Sequence, residues 1–305
     1  MAAAQPLLTQ PDPAYTRGVA LALLAGVFWS IAGLVVRLID DADEWQILFY
    51  RSLTLVLVLV AYIALRNCGR IVPAFKAAGG QAALAGVFLS VAFTCWIFAM
   101  THTTIANALF VLSASPFIAA LLARLVLGER VRRITLLCMG ASVLGIGVMV
   151  AEGIMLGTLW GNLFALGAAA GSAAFSVALR VGRAVDMTPA VCWAGVWAGV
   201  FAGIVVLASA RSFQLSAHDL AMCALMGSVQ VGFGLILYTI GSRHVPAAEL
   251  SLLSLTEVVL GPILVWLGVG EVPGFYTLVG GAIVLGAIAA QAISGIRRRP
   301  PVAVV

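Results

Sequence analysis

The sequence repeats itself, and each copy carries an odd number of apolar runs long enough to cross a bilayer. Gly140-Ala141-Ser142-Val143-Leu144-Gly145 returns as Gly281-Ala282-Ile283-Val284-Leu285-Gly286, and Gly128-Glu129 returns as Gly270-Glu271. Upstream, Gly18, Ala22, Leu23, Ala25 and Arg37 align with Gly161, Ala165, Leu166, Ala168 and Arg180. The offset drifts by one residue at a time, as small loop insertions would make it. A unit that crosses a membrane an odd number of times inserts its second copy upside down. In secondary transporters, two such inverted repeats enclose one site near the bilayer centre.

The runs themselves leave no room for a soluble domain. They cover about 18–37, 46–65, 82–101, 104–127, 133–151, 158–180, 188–210, 219–240, 246–268 and 274–295, each near the length a hydrocarbon core requires of a helix. The chain is 63% hydrophobic and 10% charged, against about 25% charged in a soluble domain. The expected fold is an all-α integral membrane protein of ten transmembrane helices, arranged as two inverted five-helix repeats, 17–152 and 157–296. Residues 1–16 read as a disordered cytoplasmic tail without the basic start of a signal peptide. Residues 297–305 read as a basic cytoplasmic tail.

Basic residues give the orientation. With the N-terminus inside, one side receives Arg17, Arg66, Arg70, Lys76, Arg130, Arg132, Arg133, Arg180, Arg183, Arg243 and Arg297 to Arg299, while the other keeps mainly Arg37, Arg51 and Arg211 beside Asp40, Asp41, Asp43 and Glu44. That bias places both termini in the cytoplasm and the chain in a bacterial cytoplasmic (inner) membrane. The net charge of +5 is then topological, which favours lipid as its partner and excludes nucleic acid. Five cysteines without paired spacing behave as small packing residues. No zinc motif, phosphate-cradling loop or nucleophile elbow occurs, so no catalytic residue, metal site or cofactor is expected.

Helices in lipid associate through small residues. Gly195, Gly199 and Gly203 form such a face on the seventh span, suited to internal packing or to a dimer contact; a monomer or weak homodimer is expected. Pro116 and Pro262 lie in the fourth and ninth spans, which are mates in the repeat, and each removes a backbone hydrogen bond. Interrupted helices in matched positions point to a transporter's binding site, although ordinary curvature accounts for such prolines equally well.

The stretch from Ala106 to Arg130, with Ser115-Pro116 and Gly128-Glu129-Arg130, resembles the EamA domain of the drug/metabolite transporter superfamily. So does Ser251 to Pro262 with Trp266 and Gly270-Glu271-Val272-Pro273; Arg51 early in the second span also fits. The resemblance covers about residues 17–296. It implies ten spans, a central cavity lined by the first, third, fourth, sixth, eighth and ninth helices, and transport of small solutes. The same resemblance implies export, a direction that no residue specifies.

Several intramembrane polar residues are candidates for the mechanism. Glu257, near the middle of the ninth span, costs about 2.5 kcal/mol or more if ionised there. It is either a proton-coupling carboxylate or a structural acid bonded to a neighbouring helix. Glu249 stands near the inner mouth, where hydration accounts for it. Arg51 either snorkels to the interface or serves as charge partner to a carboxylate or an anionic solute. Glu129 and Glu271 read as caps or pairs at opposite faces. Trp29, Trp96, Asn107, Gln230 and Tyr238 are the substrate-binding candidates: aromatic walls and amides suit a small amphipathic solute. Trp96 and Tyr238 are mates in the repeat, and the pseudo-two-fold axis would set them across from one another. The competing readings are interfacial rings and interhelical amide bonds.

The expected function is secondary active transport, exporting a small amphipathic metabolite such as an amino acid by alternating access, driven by protons or by the solute's own gradient. A facilitator or importer of the same solutes is the nearest alternative. A membrane enzyme would need clustered nucleophiles or metal ligands, which the three histidines do not supply. A channel would want a ring of like residues.

Overall fold

The computed structural model describes residues 13–128, 133–182, 188–242, 244, 245, 253 and 255–296. Helices run as α1 (Pro13–Ser30), α2 (Ala32–Arg37), α3 (Glu44–Arg66), α4 (Ile71–His102), α5 (Ile105–Leu112), α6 (Ser115–Leu127) and α7 (Arg133–Met155). The second half continues with α8 (Leu159–Gly182), α9 (Thr188–Ala208), α10 (Ala217–Leu225), a π-helical segment (Met226–Phe233), α11 (Gly234–Gly241), α12 (Leu255–Val269) and α13 (Phe275–Ile296). Among the described residues, eight stretches are long and apolar enough to span a membrane, and two shorter apolar helices, Thr256–Val269 and Phe275–Gln291, follow. The chain is thus an all-α multi-pass membrane protein. Eight of the expected spans stand at full length, and the ninth begins among residues outside the described set.

Local chemistry sets the helix ends. Pro13 opens α1, so the first helical turn takes in the last residues of the expected tail; proline suits a first turn because its missing N–H would have no partner there. Asp43 caps α3: its carboxylate accepts from the backbone N–H of Trp45 and Gln46, while the Gln46 side chain accepts from Asp43 N, a reciprocal capping box. The repeated Gly-Glu has a backbone cause. Gly128 and Gly270 close the fourth and ninth spans at φ +69° and +73°, the left-handed conformation that ends a helix and that a side chain would strain. The expected third span is the later part of a longer helix, interrupted where Gly79 adopts φ +68°.

The halves pack with their roles exchanged. The third span, α4, lies along the sixth, α8, and the eighth (α11) lies along the first (α1). Likewise α4 packs on α9, while the π segment and α10 pack on α3. The mates α3 and α9 meet each other, as do α7 and α13. The exchange holds at the level of single atoms. A Cβ on Gly86 would stand 3.0 Å from both Ala190 O and Ala194 N; on Gly227 it would overlap Arg51 O and stand 2.9 Å from Leu55 N. Both contacts set a glycine against a carbonyl and the amide one turn on, so both helix pairs depend on the missing side chain. Gly195, Gly199 and Gly203 face Val56, Ser52 and the Phe49 ring of α3. That glycine face is therefore spent on internal packing.

Two carboxylates tie the helix ends together. Glu152 Oε2 accepts from Thr277 N at 2.8 Å and from Thr277 Oγ1 at 2.7 Å, satisfying donors at the start of α13 that the helix cannot pair itself. Asp219, buried at the start of α10, accepts from the backbone N–H of Asp40, Asp41 and Ala42 and so clasps the turn before α3. Arg211 Nη1 reaches Asp43 Oδ2 at 2.7 Å on the same corner.

Candidate functional site

Three of the sequence candidates meet between the first and eighth spans. The Trp29 and Tyr238 rings stand 5.2 Å apart, tilted by 42°. Gln230 Nε2 donates to Trp29 O at 3.5 Å, and Gln230 Oε1, buried, has no partner. Gly234 makes the approach possible, because a side chain there would overlap the Trp29 indole. Gln230 sits within the π segment, whose wider turn disturbs the regular side-chain register, a feature that recurs at functional positions. Nothing in the apolar periodicity marks that segment; its glycines, Gly227, Gly232 and Gly234, are the signal the sequence offers.

Asn107 lies elsewhere, in a polar joint between α4, α5 and α8. Its Nδ2 donates to Thr103 Oγ1 at 3.0 Å and to Asn162 Oδ1, and Thr103 Oγ1 stands 3.5 Å from the same oxygen. Asn162 is the partner that sequence reasoning missed, although it is a second amide placed inside a span. The Thr103 carbonyl continues the joint outward. Arg37 Nη2 donates to it at 2.8 Å, Nη1 donates to Met100 O at 2.6 Å, and Nε pairs with Glu271 Oε2 at 2.6 Å. Glu271 Oε1 accepts from Ile105 N at 2.7 Å, capping α5. One arginine and one glutamate thus bind the ends of the first, third, fourth and ninth spans at a single corner.

Trp96 is buried in the main apolar cluster and does not meet Tyr238, whose ring partner is Trp29. Pro116 begins the second half of a broken fourth span, with the interruption at Ser113-Ala114. Pro262 lies inside α12, which continues through it. The two prolines therefore act differently despite their matched positions. Glu129 and Glu249 fall outside the described residues, as do Arg130, Arg132, Arg183, Arg243 and the terminal arginines.

Among the described residues, Glu257 and Arg51 are charged groups set within the spans. Glu257 is half-buried in the first turn of described α12, and no described residue hydrogen-bonds or ion-pairs with it. Arg51 is 2% exposed, so it does not snorkel. Its guanidinium carbon lies 4.7 Å over the Phe93 ring, and Nε and Nη1 have no partner. No ion pair joins Arg51 to Glu257. Asp40, His218 and Asp219 bring three possible metal-ligand atoms within 4.8 Å of one another, but the Asp219 oxygens are occupied by the backbone amides they clasp.

Comparison with known proteins gives a family and a fold. The model of the EamA-like transporter family matches twice, over residues 16–151 and 159–291, close to the two repeats read from the sequence. A solved structure titled "Crystal structure of protein" shares the fold at a TM-score of 0.66 and 18% identity, covering 93% of this chain and 99% of that one. No curated protein matches the chain.

Proposed function

Because the chain belongs to the EamA-like transporter family, we propose that it is a ten-span secondary transporter that exports a small amphipathic metabolite, such as an amino acid, by alternating access. The observation that carries this reading is the exchanged packing of the two halves. Each contact of the third span with the sixth or seventh has its counterpart between the eighth and the first or second. Halves of five spans related in that way run in opposite directions, and rocking one against the other exposes a shared centre to each side in turn. Trp29, Gln230 and Tyr238 form one wall of that centre, and Arg51 and Glu257 are its charged groups, with Glu257 carrying the coupling proton. The bias of basic residues supports cytoplasmic termini. With that orientation the Arg37–Glu271 corner faces outward.

Counterflow in proteoliposomes tests the reading. A carrier gives saturable uptake that is accelerated by the same solute on the far side. Linear, non-saturating flux would make the protein a pore, and uptake favoured only in the inward direction would reverse the export assignment.

A further inference from the structure

Among the described residues, Arg51 is a cation sunk in the bundle without a counter-charge. Four described carboxylates are engaged elsewhere, Glu271 with Arg37, Asp43 with Arg211, Glu152 with Thr277, and Asp219 with the amides of Asp40 to Ala42. Glu257, itself unpaired among the described residues, makes no ion pair with Arg51. Against the Arg51 guanidinium stands the Phe93 ring, which carries no charge. The π segment closes on its backbone, since Gly227 backs directly onto Arg51 O. A guanidinium taken out of water is stable only where an anion and hydrogen bonds replace its hydration, and an aromatic face replaces only part of it. Two of its nitrogens still lack any acceptor.

We propose that Arg51 is the anchor for a carboxylate on the solute, and that the cargo is a monocarboxylate with an apolar or aromatic body. The planar guanidinium fork matches the two oxygens of a carboxylate. One cation balances one negative charge. A phosphate monoester, carrying about −1.5 to −2 at pH 7, would bring an excess that no second buried cation among the described residues meets. The guanidinium lies over the Phe93 ring, so the anchor is set in an aromatic, apolar surround that suits an apolar body on the solute. The inference rests on the transporter reading for the claim that the ligand is carried, and on Arg51 alone for the claim that it is bound.

The test uses the full chain in nanodiscs of zwitterionic lipid, so that no lipid headgroup carries net charge. A panel of aromatic and aliphatic monocarboxylates is compared with the matching neutral amides and phosphate esters, by melting temperature and titration calorimetry. Carboxylates are expected to stabilise the native protein by mass action and to bind at least about 10-fold tighter than their amides, with Arg51→Gln lowering that affinity about 10- to 100-fold and Arg51→Lys keeping part of it. The contrast between acid and amide on the native protein stands even if Arg51→Gln misfolds. Equal binding of acid and amide, tighter binding of the phosphate esters, no carboxylate shifting the melting temperature, or full affinity in a folded Arg51→Gln would each overturn the proposal. Counterflow separates the two readings. Carboxylate binding without saturable flux sinks transport and leaves the anchor, whereas saturable flux of a solute indifferent to Arg51→Gln sinks the anchor and leaves transport.

Discussion

Arg37 Nε lies 2.6 Å from Glu271 Oε2, an ion pair between the end of the first span and the turn after the ninth, and so between the two halves of the chain. The same glutamate holds the Ile105 amide, and the same arginine holds two carbonyls at the end of α4. Since both side chains are about a quarter exposed, screening trims the charge attraction, and the hydrogen bonds carry much of the effect.

Glu271→Ala should therefore open this corner without unfolding the chain. Hydrogen exchange at the Ile105 amide is expected to rise about 10-fold or more, in line with the loss of a charged hydrogen bond worth about 1.5–3 kcal/mol. Exchange equal to wild type would show that Ile105 N is protected by something other than this carboxylate.

The amide joint predicts non-additive damage. Asn107→Leu and Asn162→Leu should each cost about 0.6–2 kcal/mol, the range of interhelical hydrogen bonds in membranes, because each strands its partner in the bundle. The double variant should cost less than the sum. Unfolding in detergent by a double-mutant cycle measures this, and simple additivity would mean that the two amides are independent.

Glycines divide into those that hold helices together and those that do not. A Cβ on Gly227 would overlap Arg51 O and Thr54 Oγ1, whereas Gly140 has nothing within 4 Å of such an atom. Gly227→Ala should destabilise by about 1–3 kcal/mol through overpacking, and Gly140→Ala should be neutral or stabilise by up to about 1 kcal/mol through helix propensity. Melting temperatures of the two variants report the contrast, and equal shifts would contradict the close approach of the π segment to α3.

Glu257→Gln should separate driving force from passage. With the carboxylate replaced by a neutral isostere, uptake driven by an imposed pH gradient is expected to fall to the level seen without a gradient, while solute counterflow persists. Gradient-driven uptake at wild-type rate would remove Glu257 from the coupling.

Much of the architecture was legible because duplication writes the same packing twice. Gly18 and Gly161 align in the sequence, and a Cβ on the first would crowd His244 and Val245 while one on the second would crowd His102 and Thr103, themselves mates in the repeat. The Gly-Glu pairs were legible for the same reason. Contacts made by one half alone were not. Trp29 pairs with Tyr238 across a glycine, and its mate in the second half is Ser172, so symmetry had nothing to say about it. Asn162 aligns with Val19, so the repeat offers no second amide that would mark it. The π segment packs along α3, and periodicity within one helix does not encode its wider turn.

Thr103 presents its peptide oxygen to Arg37 and its hydroxyl to the two asparagines. Displacing that single residue disturbs the Arg37–Glu271 ion pair and the buried amides together, so partial separation gains little freedom while forfeiting both sets of bonds. Departure from this joined arrangement is then expected to be abrupt, a jump between two well-defined arrangements with few stable stages between them.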